Sequence, residues 1–470
     1  MRRFVFFLTI GILLSGCSMI PEFKRPFAPI PKEWPKGDAY SSIKYDELPL
    51  ATDLRWNEFL IDENLKKIVE LALSHNRDLK LSALNVEAFS AYYGIKRAEL
   101  LPHLDLVGVG QRERTPSDLS QTGRAKISSG YSLSIGMSQW EIDLFGRLRS
   151  LKEMALEEYL AKEETLRAVR LSLISAVATC YYLYGLDREN LKLAEETLRN
   201  REEMYELVKR RYESGISSEI DVLRAKTQLE VAKEAIARYK QILAQDENNL
   251  DLLTGEVVPM ELLPEGLKEL KPPLDISPGL SSDILLMRPD VMAAEHMLKA
   301  YNAQIGAARA AFFPRISLTT LLGTASRELS GLFGSGSKSW SFQPQVIMPI
   351  FDARVYEAHR AAKIEREIAL ANYEKTIQVA FREVSDVLAV KGTVCEQKNA
   401  TVSLVDSLRK TYGLAKIRYE NGIDNYLSVL DVQRSLFQAE EQLNNLVFSE
   451  IVNLVNLYKV LGGGWKWVKR

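Results

Sequence analysis

Along most of this chain the apolar positions recur at the three-and-four spacing of a helix seam. The clearest run is Leu166, Val169, Leu173, Val177, Cys180 and Tyr184. It lies in a proline-free stretch from Arg147 to Arg211, where only Gly185 interrupts good helix formers. The pattern predicts a helix over about 146–212, ~100 Å long by its rise per residue, and a second of the same length over about 353–419. Residues 217–254 and 281–311 predict shorter helices of ~57 and ~46 Å, which laid end to end match one long helix. A globular all-helical bundle is the alternative reading. Bundle helices average roughly 10–14 residues, which favours the extended arrangement.

Between these helices the period shortens to two. Leu104, Leu106, Gly108 and Gly110 alternate with other residues, and Tyr131, Leu133, Ile135 and Met137 alternate with Ser132, Ser134, Gly136 and Ser138. Ile316-Ser317-Leu318 and Trp340-Ser341-Phe342 repeat the pattern later in the chain. Apolar residues alternating with small polar ones are the signature of a membrane barrel strand, with one face to lipid and one to a lumen. Trp140 and Trp340 suit the aromatic girdle of such a barrel. The loop from Gly331 to Lys338 has the glycines and lysine of a phosphate-binding loop. Its spacing is wrong and strands flank it, so it reads as a hairpin loop. Four strands cannot close a barrel, whose minimum is about eight, and open edges in lipid cost several kcal/mol per unpaired group. The barrel must be shared between chains, and twelve strands from a trimer leave the more useful lumen.

The chain is also written twice. Arg211-Tyr212-Glu213-Ser214-Gly215-Ile216 recurs as Arg418-Tyr419-Glu420-Asn421-Gly422-Ile423 at an offset of 207, and Asp78, Gly94, Ala98 and Pro102 recur as Asp290, Gly306, Ala310 and Pro314 at an offset of 212. Five prolines from Pro21 to Pro35 mark an extended arm, and five from Pro259 to Pro278 mark a connector. The expected organisation is a leader at 1–16, an arm at 17–59, a first repeat at 60–255, a linker at 256–280, a second repeat at 281–462 and a tail at 463–470. Hairpins are expected at 102–145 and 314–351, and interhelical turns at 213–216 and 420–423.

Charge and composition exclude more than they assign. With 61 basic and 62 acidic residues the net charge is −1, so no nucleic-acid partner is expected. Three cysteines build no disulfide framework, and Cys180 and Cys395 are expected as buried, reduced thiols in helices. No apolar run approaches the roughly 18–20 residues of a spanning helix. At the N-terminus, Arg2 and Arg3 precede an apolar stretch from Phe4 to Leu14, which is a signal segment. It ends in Leu14-Ser15-Gly16-Cys17, which resembles a bacterial lipobox. Cys17 is expected to become an acylated N-terminus carrying palmitate, and Ser18 after it fits outer-membrane anchoring.

On these residues the chain resembles the TolC-like outer-membrane efflux channels, closest to the lipidated OprM branch. The most specific stretches are Trp140-Glu141-Ile142-Asp143-Leu144-Phe145-Gly146-Arg147, Arg288-Pro289-Asp290, Phe312-Phe313-Pro314-Arg315-Ile316-Ser317-Leu318 and Leu461-Gly462-Gly463-Gly464-Trp465. The resemblance implies a mainly α homotrimer with a twelve-stranded barrel continued by a long α-helical barrel. It implies a passive duct without catalysis, partnered by a periplasmic adaptor and an inner-membrane resistance-nodulation-division (RND) transporter. Export of drugs or other small toxic compounds is the expected role; a type I secretion or heavy-metal efflux outlet is the alternative.

The repeated Arg-Tyr-Glu-x-Gly is a turn between antiparallel helices, with Gly215 and Gly422 free to take positive φ. Past the turns the halves diverge: Asp221 corresponds to Ser428, and Arg224 to Asp431. The resemblance places the closed entrance at these turns, with Asp431 lining the constriction and Tyr419 and Asp221 holding it shut. Tyr212 and Asp424 complete the expected tip, and a second acidic ring is not expected because Ser428 is uncharged. No metal site is expected, since His75, His103, His296 and His359 are scattered without ligand spacing. No cofactor is expected beyond the lipid on Cys17. A lipid-anchored coiled-coil adaptor is the remaining rival, and it would lack the paired strand hairpins.

Overall fold

The computed structural model describes residues 18–43, 48–279 and 281–464. The leader, Cys17 and Trp465 lie outside the described residues. In chain order the main elements are α1 (Glu63–His75), α2 (Arg77–Ala98), β1 (Asp105–Thr115), β2 (Lys126–Ile142), α3 (Arg147–Glu213), α4 (Glu219–Thr254), α5 (Pro289–Ala310), β3 (Arg315–Ser326), β4 (Lys338–Ile347), α6 (Ala353–Glu420) and α7 (Tyr426–Val460). The two long helices hold 67 and 68 residues. α3 contains a stretch apolar enough to cross a membrane by length and composition, contrary to the expectation that no run approaches that length. More than half of that stretch is buried inside the fold, so it serves as core.

The chain divides into two compact units. One contains Asn85–Glu163 and Ala293–Tyr373, together with the chain up to Phe27. Its centre is an antiparallel sheet in the order β1-β2-β3-β4. The register shifts between Met137 and Trp140, where Gln139 takes a φ of 60° and the extra residue forms a bulge. The segment after Cys17 lies along α5: Asn302 Nδ2 donates to the Pro21 carbonyl at 2.8 Å, and Arg25 pairs with Glu295 at 2.6 Å.

The second unit contains Ala28–Leu84, Glu164–Met292 and Glu374 onward. Its construction shows the duplication at the level of single hydrogen bonds. The helical path entering each repeat breaks at equivalent residues, Asn76 with ψ 129° and Arg288 with ψ 139°. The expected single helix over 281–311 is therefore a 3-10 segment, Ser282–Met287, followed by α5. The cause is Pro289, which disfavours helical backbone at the residue before it and suits the first helical position itself. Both breaking residues then cap the returning helix. Asn76 Nδ2 donates to Leu253 O at 2.9 Å, and Arg288 Nη1 donates to Val460 O at 2.8 Å. Arg288 also grips Asp290 through two nitrogens and Glu383 at 2.8 Å.

Extended segments cross the long helices at equivalent glycines. The arm passes over α6 at Gly392, where a Cβ would come within 1.9 Å of Ala39 O. The connector passes over α3 at Gly185, where a Cβ would meet Leu270 Cδ1 at 2.5 Å. Trp34 stacks on Phe381 at 5.7 Å and donates from Nε1 to Gly279 O at 2.9 Å, tying arm, helix and connector together.

Asp187 on α3 and Asp246 on α4 are both buried, at 8% and 4% exposure, and face each other. Burial and the opposing Asp187 carboxylate push Asp246 up to about 7. Arg238 partly offsets the charge of Asp187, and Glu247 adds further negative charge near Asp246. Two such carboxylates cannot both ionise cheaply, so the folded pair retains a proton that the unfolded chain releases. The pair's own contribution to stability is therefore greatest at acid pH and declines as pH rises toward the raised value. The thermal midpoint of the detergent-purified protein should fall between about pH 4 and pH 7, and Asp246→Asn should remove that decline. An equal decline in the variant would exclude the pair as its source.

Candidate functional site

In the first unit the strand pairings decide which side chains share a face. Trp140 pairs with Leu318 and Pro344 lies beyond it; Ile135 pairs with Leu322 and Trp340 lies beyond it. Between those levels, Met137, Thr320 and Phe342 form a row. Paired residues point to the same side of a sheet, so one face carries Ile135, Met137, Trp140, Leu318, Leu322 and Phe342. The opposite face carries Ser132, Ser134, Ser317, Thr319, Ser341 and Gln343. Leu322 is 64% exposed and Trp340 76%, so much of the apolar face is uncovered among the described residues. Trp140 and Trp340 stand at different levels of that face, four residues apart along β3. Trp140 Nε1 reaches Leu100 O at 3.4 Å.

In the second unit the long helices end in matched turns. Gly215 and Gly422 have φ of 74° and 73°. Ile216 N donates to Arg211 O at 2.8 Å and Gly215 N to Tyr212 O at 2.8 Å; Ile423 and Gly422 do the same to Arg418 O and Tyr419 O at 2.9 and 3.0 Å. This is the Schellman closure, which only a residue free to take positive φ completes without strain. Ser218 and Asn425 then cap the next helices, accepting from Asp221 N and Ser428 N at 3.2 Å each.

Beneath the turns Met204, Val208, Tyr419, Tyr426 and Val429 form a buried cluster. Tyr419 is 4% exposed, whereas its counterpart Tyr212 is 43% exposed. Burial raises the Tyr419 pKa, with Ser217, Arg211 and Asp221 close enough to modulate it. Its hydroxyl has no hydrogen-bond partner among the described residues. Tyr419 and Asp221, expected to hold the entrance shut, are therefore not bonded to each other within one chain. Asp221 is occupied locally, accepting from Ser218 Oγ at 2.7 Å and pairing with Arg224 at 3.6 Å. Asp431 is exposed on α7.

The arginines of the repeated motif were not singled out from the sequence, yet they organise the turns. Arg418 closes on its own turn, donating to Asp424 from Nε at 2.7 Å and Nη2 at 3.0 Å, which holds the Asp424 carboxyl below its ordinary range. Arg211 has Ser217 where Arg418 has Asp424. Its Nη1 instead reaches the opposite turn, donating to Tyr419 O at 3.0 Å and Glu420 O at 3.1 Å, and its guanidinium lies 4.8 Å from the centre of the Tyr419 ring. The signal was legible: the same arginine twice, with an acid six residues later in only one copy.

The sequence pattern of outer membrane efflux proteins matches residues 68–256 and 280–463. The chain belongs to that family. The two matched spans fall one in each half of the duplication. The chain is 44% identical over 456 residues, 97% of its length and 94% of the relative's, to the toluene efflux pump outer membrane protein TtgC of Pseudomonas putida. Among solved structures, a membrane protein from Pseudomonas aeruginosa superposes with a TM-score of 0.88 at 40% identity, covering 96% of this chain and 99% of that one. The open state of the Neisseria gonorrhoeae MtrE outer membrane channel gives 0.84 at 34% identity, covering 96% and 99%. The fold is thus TolC-like and mainly α, and the place of this efflux protein is the outer membrane.

Among the described residues no group of three or more His, Cys, Asp and Glu is arranged to hold a metal ion. Cys180 is buried and its thiol pushed up to about 12 by burial. Cys395 is exposed, against expectation, because its position on α6 faces outward rather than into a helix seam.

Proposed function

We propose that three copies of this chain form a duct across the outer membrane, through which small toxic compounds leave the cell. The observation that carries this reading is the four-stranded sheet with one apolar face, one polar face and two open edges, β1 and β4. In lipid, each open edge must find a partner strand, and β4 of one chain meeting β1 of the next closes the circle with the polar face inward. The toluene efflux relative points to small apolar toxicants as cargo. Cys17 carries the lipid anchor, and a periplasmic adaptor joins the helical turns to an inner-membrane RND transporter that supplies the energy. The chain itself performs no catalysis and holds no cofactor beyond that lipid.

The turns form the closed end of the duct. Asp431 lines the constriction, and Tyr419 and Asp221 hold it shut, meeting across chains because they do not meet within one. The unsatisfied Tyr419 hydroxyl supports that assignment, since a buried polar group without a partner is costly. Purified protein in planar bilayers should conduct as a heat-resistant trimer, and Asp221→Ala with Tyr419→Phe should raise the time-averaged current about tenfold through a higher open probability, the effect of losing a hydrogen bond that favours the closed state. Monomeric, non-conducting protein would overturn the duct; unchanged current in the double variant would overturn the gate.

A further inference from the structure

The duplication makes the turns a natural comparison, because each residue has a counterpart in the same local geometry. Backbone closure, capping and the position of the arginine are shared. What differs is the partner available to that arginine. Asp424 gives Arg418 a bidentate acceptor in its own turn. Ser217, in the matching place, offers no charge and directs its hydroxyl toward Asp221 at 3.4 Å.

Arg211 then finds acceptors elsewhere. Tyr419 O, which also accepts from Gly422 N, and Glu420 O are among the last carbonyls of α6, where a helix has spare acceptor capacity and carries partial negative charge. A guanidinium is well suited to that place, since its planar fork spans neighbouring acceptors and stacks on an aromatic face. The contact is partly withdrawn from solvent, with Arg211 half-buried over a buried Tyr419. It joins the α3–α4 hairpin to the α6–α7 hairpin at their outermost points.

We propose that Arg211 is a positioning residue that ties the two helical hairpins of one chain together at their turns, and that serine at 217, in place of the acid found at 424, is what frees it to do so. The hairpins of one chain then move as a unit, and opening requires the tie to break or the pair to swing together. Its consequence for transport rests on reading the turns as the closed end of the duct; the tie itself does not.

The test separates the two. Spin labels at Ser214 and Asn421, the exposed counterparts in the two turns, report the distance between hairpins in protein diluted with unlabelled chains, in a Cys395→Ser background. Arg211→Gln should broaden and lengthen that distance, and raise open probability in bilayers about tenfold, as loss of charge-assisted hydrogen bonds implies. Arg211→Lys should restore most of the wild-type distance. Ser217→Asp is the decisive variant: it keeps Arg211 but supplies the acceptor of the other repeat, and should loosen the hairpins as Arg211→Gln does. Ser217→Asn, uncharged, should not. If Ser217→Asp leaves the distance narrow, the tie is wrong, whether or not Arg211→Gln assembles. If the distance widens while the current stays constant, the tie stands and the gate reading fails.

Discussion

Phe342→Arg should abolish assembly of this protein in the outer membrane, while Gln343→Arg, one residue further along β4, should be tolerated. Both side chains are exposed in the single chain, so a reading confined to one protomer expects two harmless changes. The pairings place Phe342 on the face of Met137, Trp140 and Leu322, midway between the levels of the two tryptophans. An arginine facing hydrocarbon there costs about 2–4 kcal/mol per strand, whereas one facing the lumen stays hydrated. The measurement is heat-resistant oligomer in outer-membrane fractions. Equal yields of the two variants would mean that this face does not meet lipid.

The second large effect concerns two glycines that look interchangeable. Gly392→Ala places a methyl group 1.9 Å from Ala39 O, a backbone atom that cannot turn aside. The arm must lift from α6, losing the hydrogen bond of 2.8 Å from Ser42 Oγ to Gly392 O and loosening the Trp34 stack on Phe381. Overpacking of this kind costs about 1–3 kcal/mol. Gly185→Ala presses closely on Leu270 Cδ1 alone, the end of a flexible side chain, with Pro264 Cγ at an ordinary 3.5 Å, and gains up to about 1 kcal/mol of helix propensity in return. Trypsin should cut after Lys32 or Lys36 faster in Gly392→Ala than in wild type, and at the wild-type rate in Gly185→Ala. A protected arm in Gly392→Ala would show that the crossing does not hold it.

Much of the fold was legible because its elements are long and periodic. The absence of proline and the seam spacing marked α3 and α6, and alternation with serine marked β2. What remained hidden depends on residues far apart in the chain. Cys395 lies in a helical pattern like that of Cys180, but periodicity cannot say which flank of a 68-residue helix is covered. The break at Arg288 was signalled by Pro289, whereas the matching break at Asn76 had no proline, and its capping of Leu253 O was invisible.

At the turns, the sequence by itself determined the closure: glycine at 215 and 422 and capping residues at 218 and 425 act locally, over spans of a few residues. It also contained the exchange of Ser217 for Asp424. Only the tertiary structure decided what that exchange does, by bringing the end of α6 within reach of Arg211. The same division holds in the sheet. Alternation along each strand determined that one face is apolar, but the pairing of β2 with β3, across more than 170 residues of chain, decided which residues share it. Local bonds are written in neighbouring residues; long-range pairings are settled by which surfaces the folded chain brings together.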